Sequence, residues 1–243
     1  MGEKAVSEVF GYMLIFGIVI FAISIVYSQV YTSTLETSQK FKVEGIRESF
    51  KKIYNVFALS VYGGASMQQI QIELQGGTLA VENKTHIAIK IGDESFDLYP
   101  RSLSYRLGDY MISFESGALW ESYYGYSKTV QTPAIYIKTV QVPQASGTER
   151  VLVIVIDELE NDVSVSGEGL LVILFNSSLG MSRIYSGGKE VVFTITSPYA
   201  ALWEEYLSNF GSVSRDNDTV TMETRAGTVV FTVYKTNVET NMI

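Results

Sequence analysis

The sequence is poor in two residue types that often build catalytic and metal centres. It has no cysteine and a single histidine among 243 residues. Without cysteine there is no disulfide framework, no thiol nucleophile and no cysteine-ligated metal. The histidine, His86, begins an alternating strand pattern, where packing or surface roles are far more common than catalysis. No glycine-rich phosphate loop and no G-x-S-x-G motif is present. We therefore expect no enzyme activity, no catalytic residue, no cofactor and no metal.

Basic residues are in the minority. The chain has 18 Lys and Arg against 26 Asp and Glu, a net charge of −8. A nucleic-acid partner requires a basic face, so we expect none. Hydrophobic residues make up 47% of the chain, which is typical of an ordered protein with a substantial core.

One long stretch, from Val9 to Leu35, has no charged residue. As a helix it would be roughly 40 Å long, enough for the ~30 Å hydrocarbon core of a bilayer. Three interpretations fit it: a permanent single-pass anchor, a cleaved signal peptide, or a pilin-type helix that moves from the membrane into a filament core. The run exceeds the apolar region of ordinary signal peptides, which disfavours the second.

The residues before this run distinguish the remaining two. Lys4 and Ala5, followed by Val6, stand directly before the long apolar helix. This arrangement resembles the class III signal of archaeal type IV pilin-like surface proteins. The resemblance implies that a prepilin peptidase-like enzyme cuts between Ala5 and Val6 and leaves the helix on the mature chain. Glu8 would then be the third mature residue, whereas bacterial pilins carry a glutamate at the fifth.

Helical periodicity continues beyond the apolar run. An apolar stripe recurs every three to five residues and ends before Gly63 and Gly64, with Gly45 as a weak point. Its members are Phe41, Ile46, Phe50, Ile53, Tyr54, Phe57 and Val61. The predicted organisation is a leader over residues 1–5, a helix over 6–62 with its apolar span at 9–35, and a β-rich extracytoplasmic head over 67–243. Charges flanking the span leave its orientation ambiguous.

The head has the two-residue period of half-buried strands. We predict hairpin turns at Gly76–Gly77, Gly92–Asp93 and Ala226–Gly227. The apolar runs 151–156, 170–175 and 191–196 predict strands buried on both faces. Ser197 and Pro198 predict the start of a short covering helix that ends before Gly211. The predicted fold class is α+β: a long N-terminal helix followed by an antiparallel head of β-sandwich type.

Two further sets of residues are candidate sites. Asn83, Asn176 and Asn217 each begin an N-x-[ST] sequon at the predicted end or turn of a strand, where a glycan would be held in solvent. Gly17, Ser24 and Ser28 fall on one helix face and would let helices pack closely.

Two clusters leave alternatives open. The segment 117–132, with Trp120, Tyr123, Tyr124 and Tyr126, reads as a loop whose rings either form an exposed contact surface or close the end of the core. The acidic cluster Asp157, Glu158, Glu160 and Asp162 reads as a solvated turn rather than a calcium site.

The resemblance implies a structural subunit of a type IV pilus-like filament. Its N-terminal helices would bundle with those of other copies, its head would face outward, and it would serve attachment or cell contact. Before assembly it would be held in the membrane, and afterwards it would lie at the cell surface. The alternatives are a non-polymerising, membrane-anchored envelope protein such as a minor pilin and, with less support, an anchored extracytoplasmic enzyme or binding module.

Overall fold

The computed structural model describes the backbone of residues 2–133, 137–144 and 147–243, and the side chains of these residues except 2–10, 32, 35, 36, 62 and 134–149. The chain forms two compact units, Met1–Gly45 and Ile46–Ile243. The boundary falls inside the first helix, and each unit is described by itself.

The first helix, α1, spans Gly2–Tyr62 and is helical through Gly45. Its length follows from the sequence, since no proline occurs before Pro100 and few glycines interrupt the segment. The long N-terminal helix predicted from the sequence is confirmed. Gly63 ends it: its N–H donates to Leu59 O at 3.0 Å, and Gly64 adopts a positive φ of 73°, as is common just past a helix.

In the second unit, the final turns of α1 bury one face on the sheet. The buried side chains are Ile46, Phe50, Ile53, Phe57 and Val61. Their spacing of four, three, four and four residues puts them on one stripe of the helix. Phe41, which the periodicity placed on the same stripe, belongs to the first unit and is 74% exposed.

The described residues of the head contain twelve strands in one hydrogen-bonded sheet. They are β1 Met67–Glu82, β2 His86–Ile91, β3 Glu94–Leu98, β4 Ser102–Leu107, β5 Tyr110–Glu115, β6 Ala118–Tyr123, β7 Tyr126–Gln131, β8 Ile137–Gln144, β9 Gly147–Leu159, β10 Ser164–Thr196, β11 Ser212–Asp216 and β12 Thr219–Met242.

Two long strands organise this sheet. The main order is β7-β6-β5-β4-β1-β10-β12-β9-β8. β10 and β12 pair from Leu171↔Met242 to Thr196↔Thr219. The first part of β10 also pairs with β1, and its last part pairs with β2. β3 pairs with β2, and β11 pairs with β12. All pairs are antiparallel except the parallel pair of β9 and β12. An α+β fold with a β-rich, mainly antiparallel head is thus confirmed. Its strands belong to one connected sheet. β10 pairs with β1 in its first part, with β2 in its last part and with β12 along most of its length.

Three turn and loop predictions are wrong. β1 continues through Gly76–Gly77, which form a bulge opposite β10; Gly77 N–H donates to the Tyr105 hydroxyl at 3.0 Å there. β12 likewise continues through Ala226–Gly227, and Ala226 pairs with Lys189. In both places the neighbouring strand supplies a hydrogen-bonding partner that local sequence does not reveal.

The third wrong prediction is the loop at 117–132. β6 and β7 form a hairpin there, in keeping with the strand preference of its Trp, Tyr, Thr and Val residues. The hairpin at Gly92–Asp93, between β2 and β3, is as predicted.

A second core contains no residue of α1. Inward side chains of β2, β9, β10 and β12 form it together with the short helix α2, Ala200–Leu207. Ser197 precedes α2 and accepts a hydrogen bond from Tyr199 N–H at 3.0 Å. α2 buries Ala200, Trp203 and Leu207. The prediction that the apolar runs 151–156, 170–175 and 191–196 are buried on both faces is wrong. In each run buried residues alternate with half-buried or exposed ones, so one face of each strand is less covered than the other.

Candidate functional site

The apolar part of α1 is the strongest functional feature of the first unit. Gly11–Tyr31 has a mean hydropathy of 2.3, and none of it is buried within the structure. Its 21 residues correspond to about 32 Å of helix at 1.5 Å per residue, close to the thickness of a hydrocarbon core. By length and composition this segment is able to cross a membrane. So large an exposed apolar surface is unstable in water and requires lipid or protein around it.

Small residues interrupt this apolar surface on one side. Gly17, Ser24 and Ser28 are separated by seven and four residues, so the helical repeat places them on one face. A side-chain carbon at Gly17 would meet no atom within 4 Å. Ser24 Oγ donates to Ile20 O at 2.8 Å, which satisfies its hydroxyl within the helix. Such a face allows close approach of a second helix, and the packing role predicted for it stays a prediction.

The processing residues Lys4, Ala5 and Val6 lie in the first turns of α1. Their side chains are outside the described residues, and so is that of Glu8. Cleavage between Ala5 and Val6 therefore stays a prediction from the sequence.

The three sequon asparagines are exposed, in different settings. Asn83 lies in the short connection between β1 and β2, and Asn217 lies at the turn between β11 and β12 with a φ of 52°. The prediction that Asn176 lies at a strand end is wrong. Asn176 lies inside β10, paired with Met67 and Asn237. Glycosylation at the three positions stays a prediction.

The acidic cluster does not converge on one point. Glu158 Oε1 accepts from Tyr99 N–H at 3.1 Å, Asp162 pairs with Arg101 at 2.6 Å, and Glu160 pairs with Lys235 at 3.2 Å. Within the described ranges, no group of three or more His, Asp or Glu side chains could hold a metal ion. Asp157 is buried rather than solvated, which the prediction of a solvated turn did not anticipate.

His86 begins β2, as predicted. Its Nε2 lies 3.3 Å from Asp97 Oδ1, and its ring is 4.7 Å from that of Tyr99. These neighbours come from β3 and from the connection that follows it.

The aromatic hairpin divides into one buried ring and several exposed ones, and a contact role for the exposed rings stays a prediction. Trp120 is fully buried, with its ring 5.6 Å from Trp203. Tyr123, Tyr124 and Tyr126 surround the β6–β7 turn, and Tyr126 is 85% exposed. Tyr124 has a φ of 49°, an unusual conformation for a bulky residue. The core therefore holds Trp120, while the tyrosines form an exposed hairpin tip.

Sequence reasoning missed a buried acid that joins β5 to α2. Glu115 is buried at the end of β5, and its Oε1 accepts hydrogen bonds from Ser197 Oγ at 2.8 Å and Trp203 Nε1 at 2.7 Å. Burial raises the pKa of Glu115, and these hydrogen bonds oppose that rise. No local signal marks Glu115, because both partners lie more than 80 residues away in the chain.

A second missed acid, in β6, anchors α1 to the sheet. Glu121 of β6 is 4% exposed. Both of its carboxylate oxygens accept hydrogen bonds from the Arg47 guanidinium, with Nε 3.0 Å from Oε2, and Lys128 Nζ lies 3.4 Å away. Burial alone would raise the pKa of Glu121, but hydrogen bonding and charge from Arg47, helped by Lys128, outweigh it and lower the pKa.

This pair predicts an acid-sensitive contribution to stability. The folded protein holds Glu121 ionised to lower pH than the unfolded chain does, so the contribution is present above the unfolded pKa and is lost as pH falls through the folded one. Glu121→Gln should cost about 2 kcal/mol at pH 7 and flatten the acid part of the stability curve. Denaturant unfolding between pH 3 and 7 measures both. Glu205→Gln, at an exposed position of α2, is the control and should keep the wild-type curve. A Glu121→Gln curve parallel to wild type would contradict this account.

The fold and the apolar segment together define a class: α+β chains with one N-terminal helix able to cross a membrane and a β-rich head. Residues 4–241 match the family described as "Family of unknown function (DUF7289)", and the chain belongs to this family. The match includes both the apolar segment and the head. The chain is also similar to an uncharacterized protein of Archaeoglobus fulgidus, with 27% identity over 72% of this chain and 71% of the relative. No solved structure matches.

Proposed function

We propose that this protein is a structural subunit of a type IV pilus-like surface filament. Copies would associate through their N-terminal helices, with the β-rich heads outward for attachment or cell contact. The observation that carries the proposal is the segment Gly11–Tyr31, which is apolar over 21 residues and 0% buried. In a filament, the same segment would pass from lipid to the helices of neighbouring copies.

The final turns of α1 add support. A simple membrane anchor needs only the apolar segment, whereas here the same helix supplies Phe50, Phe57 and Val61 to the core of the second unit. The small-residue face at Gly17, Ser24 and Ser28 would let neighbouring helices pack at short distance. The occurrence of a relative in Archaeoglobus fulgidus is consistent with an archaeal signal at Lys4, Ala5 and Val6.

A second candidate is a single-pass envelope protein that never polymerises. The length of Gly11–Tyr31 favours it, because 21 apolar residues by themselves meet the need of about 20 for a bilayer span. Glu8 also supports it, since it would be the third mature residue and not the fifth. Both candidates place the protein in the membrane at first, with the head at the cell surface. Neither involves nucleic acid.

Processing and assembly can be tested together in the native host. Mass spectrometry of the surface protein should find Val6 as the first residue, and electron microscopy of sheared surface material should find filaments that contain the protein. Ala5→Leu should block cleavage and abolish the filaments, because the peptidase requires a small residue before the cut. Gly2→Leu, away from the cleavage site, is the matched control.

The outcomes separate the candidates. Cleaved protein without filaments would favour the non-polymerising envelope protein. A mature chain that begins with Met1 or Gly2 would contradict prepilin-type processing. A mature chain that begins beyond Ser28 would mean that the apolar helix is discarded, and would overturn both.

A further inference from the structure

Four buried side chains form a continuous hydrogen-bonded chain from the last turn of α1 into the sheet. Ser60 Oγ lies 2.7 Å from Ser177 Oγ and 2.9 Å from Ser66 O, and its single proton can be donated to either oxygen. Ser177 Oγ and Thr236 Oγ1 are 2.8 Å apart, and Thr236 Oγ1 donates to Asp157 Oδ1 at 2.6 Å. All four residues are at most 5% exposed. The chain thus connects α1, β10, β12 and β9 through side chains alone.

The four elements are not held equally firmly. β9, β10 and β12 are fixed by continuous backbone ladders at this point, through Ser177↔Thr236 and Tyr234↔Asp157. The end of α1 has no such ladder. Its attachment here consists of the burial of Val61, the packing of Phe57 against Phe175 of β10, the Ser60 hydroxyl and the bond from Ser177 N–H to Ser66 O at 2.8 Å. Of the four elements, the end of α1, together with the segment 63–66 that follows it, can be displaced with the smallest loss of free energy.

Asp157 is the last member of this series of hydrogen bonds, and its environment is unfavourable for a charge. Its second oxygen, Oδ2, has no hydrogen-bond partner among the described residues. The charges acting on Asp157 are Glu158 and Glu160, and Lys235 of β12 is paired with Glu160 at 3.2 Å. α1 and β10 each contribute one neutral hydroxyl to this series of hydrogen bonds, from Ser60 and from Ser177.

Burial, followed by repulsion from Glu158 and Glu160, raises the pKa of Asp157 to about 8 against the hydrogen bond from Thr236. The folded protein therefore keeps a proton that the unfolded chain loses near pH 4. Since the folded state binds more protons between these values, its stability falls as pH rises through this window and levels off above it.

We propose that Asp157 and its hydroxyl chain form a proton-controlled latch on the end of α1. With Asp157 protonated, the chain Ser60–Ser177–Thr236–Asp157 is closed and the last turn of α1 is seated on β10 and β12. Loss of the proton leaves a buried charge that requires water, and water enters by displacement of this last turn and of residues 63–66. The device is independent of filament assembly and operates in a single chain.

Hydrogen exchange followed by mass spectrometry tests the latch on the full chain in detergent. The peptide covering residues 54–66 is compared at pH 6 and pH 9 after correction for intrinsic exchange. In the wild type, its protection should fall about tenfold, whereas strands away from the latch, such as β4 and β5, should keep theirs. Asp157→Asn keeps the acceptor for Thr236 and cannot ionise, so its protection at 54–66 should be the same at both pH values.

Asp162→Asn is the matched control, because Asp162 lies in the same acidic stretch but is 91% exposed; it should keep the wild-type response. The latch would be refuted by a wild-type peptide 54–66 that is equally protected at both pH values, which requires no variant to fold. An unchanged pH response in Asp157→Asn, or an equal loss of protection in every strand, would refute it as well.

Discussion

Phe57→Ala should lower the free energy of unfolding of the head unit by about 3–5 kcal/mol, the usual range for removing a buried aromatic ring. Phe57 is 1% exposed on the docked face of α1. Its ring centroid lies 4.5 Å from that of Phe114 on β5 and 5.9 Å from that of Phe175 on β10. One ring therefore joins α1 to two parts of the sheet that are separated by β4 and β1.

Guanidinium unfolding of the full chain in detergent, followed by tryptophan fluorescence, measures this loss. Both tryptophans, Trp120 and Trp203, are buried in the head, so the signal reports on that unit. Phe41→Ala is the matched control: it removes the same side chain from the same helix at an exposed position, and should shift the transition by less than about 0.5 kcal/mol. Equal losses in the two variants would contradict the docking of residues 46–62 on the sheet.

Phe21→Arg should prevent stable membrane integration. Phe21 lies at the middle of Gly11–Tyr31 and is exposed. An arginine at the centre of a spanning helix costs about 3 kcal/mol on insertion scales, in place of a favourable phenylalanine. Among the described residues, no second helix is long and apolar enough to span a bilayer and to compensate for that cost. The protein should therefore be released from membranes by an alkaline wash, and no filaments should assemble from it.

The same substitution outside the span provides the control. Phe41→Arg introduces an identical change in α1 ten residues beyond Tyr31, and should leave fractionation with membranes unchanged. If Phe21→Arg protein stayed in the washed membrane fraction while remaining monomeric, the apolar segment would not be the membrane-spanning element. Filaments assembled from Phe21→Arg protein would argue against a helix-packed filament core.

Local sequence accounts well for the helix and for the type of each major element. The absence of proline before Pro100, the apolar run and the spacing of Ile46, Phe50 and Phe57 are sufficient to predict α1. Gly63 and Gly64 mark its end, because a residue in the left-handed conformation there allows the carbonyl groups of the last turn to be hydrogen-bonded. The two-residue period predicts a β-rich head because alternation places one side of each strand in the core.

The same reasoning fails where a distant strand decides the conformation. Gly76–Gly77 and Ala226–Gly227 look like turns, yet β1 and β12 pass through both. At the first, the Tyr105 hydroxyl satisfies the bulged backbone; at the second, the ladder to β10 continues across Lys189. The energy of a ladder shared with a partner strand outweighs a local turn preference, and that partner cannot be identified from a short window.

What the sequence alone determined is therefore the long apolar helix, the docked stripe that follows it and the β-rich character of the head, all of which depend on neighbours within a few residues. The tertiary structure alone decided the single connected sheet and the pairing of its buried charges. Arg47 meets Glu121 across 74 residues, and Thr236 meets Asp157 across 79. Whether a carboxyl group is solvated, ion-paired or held neutral depends on which groups folding brings beside it, because its charge is stabilised or penalised by atoms far away in the chain.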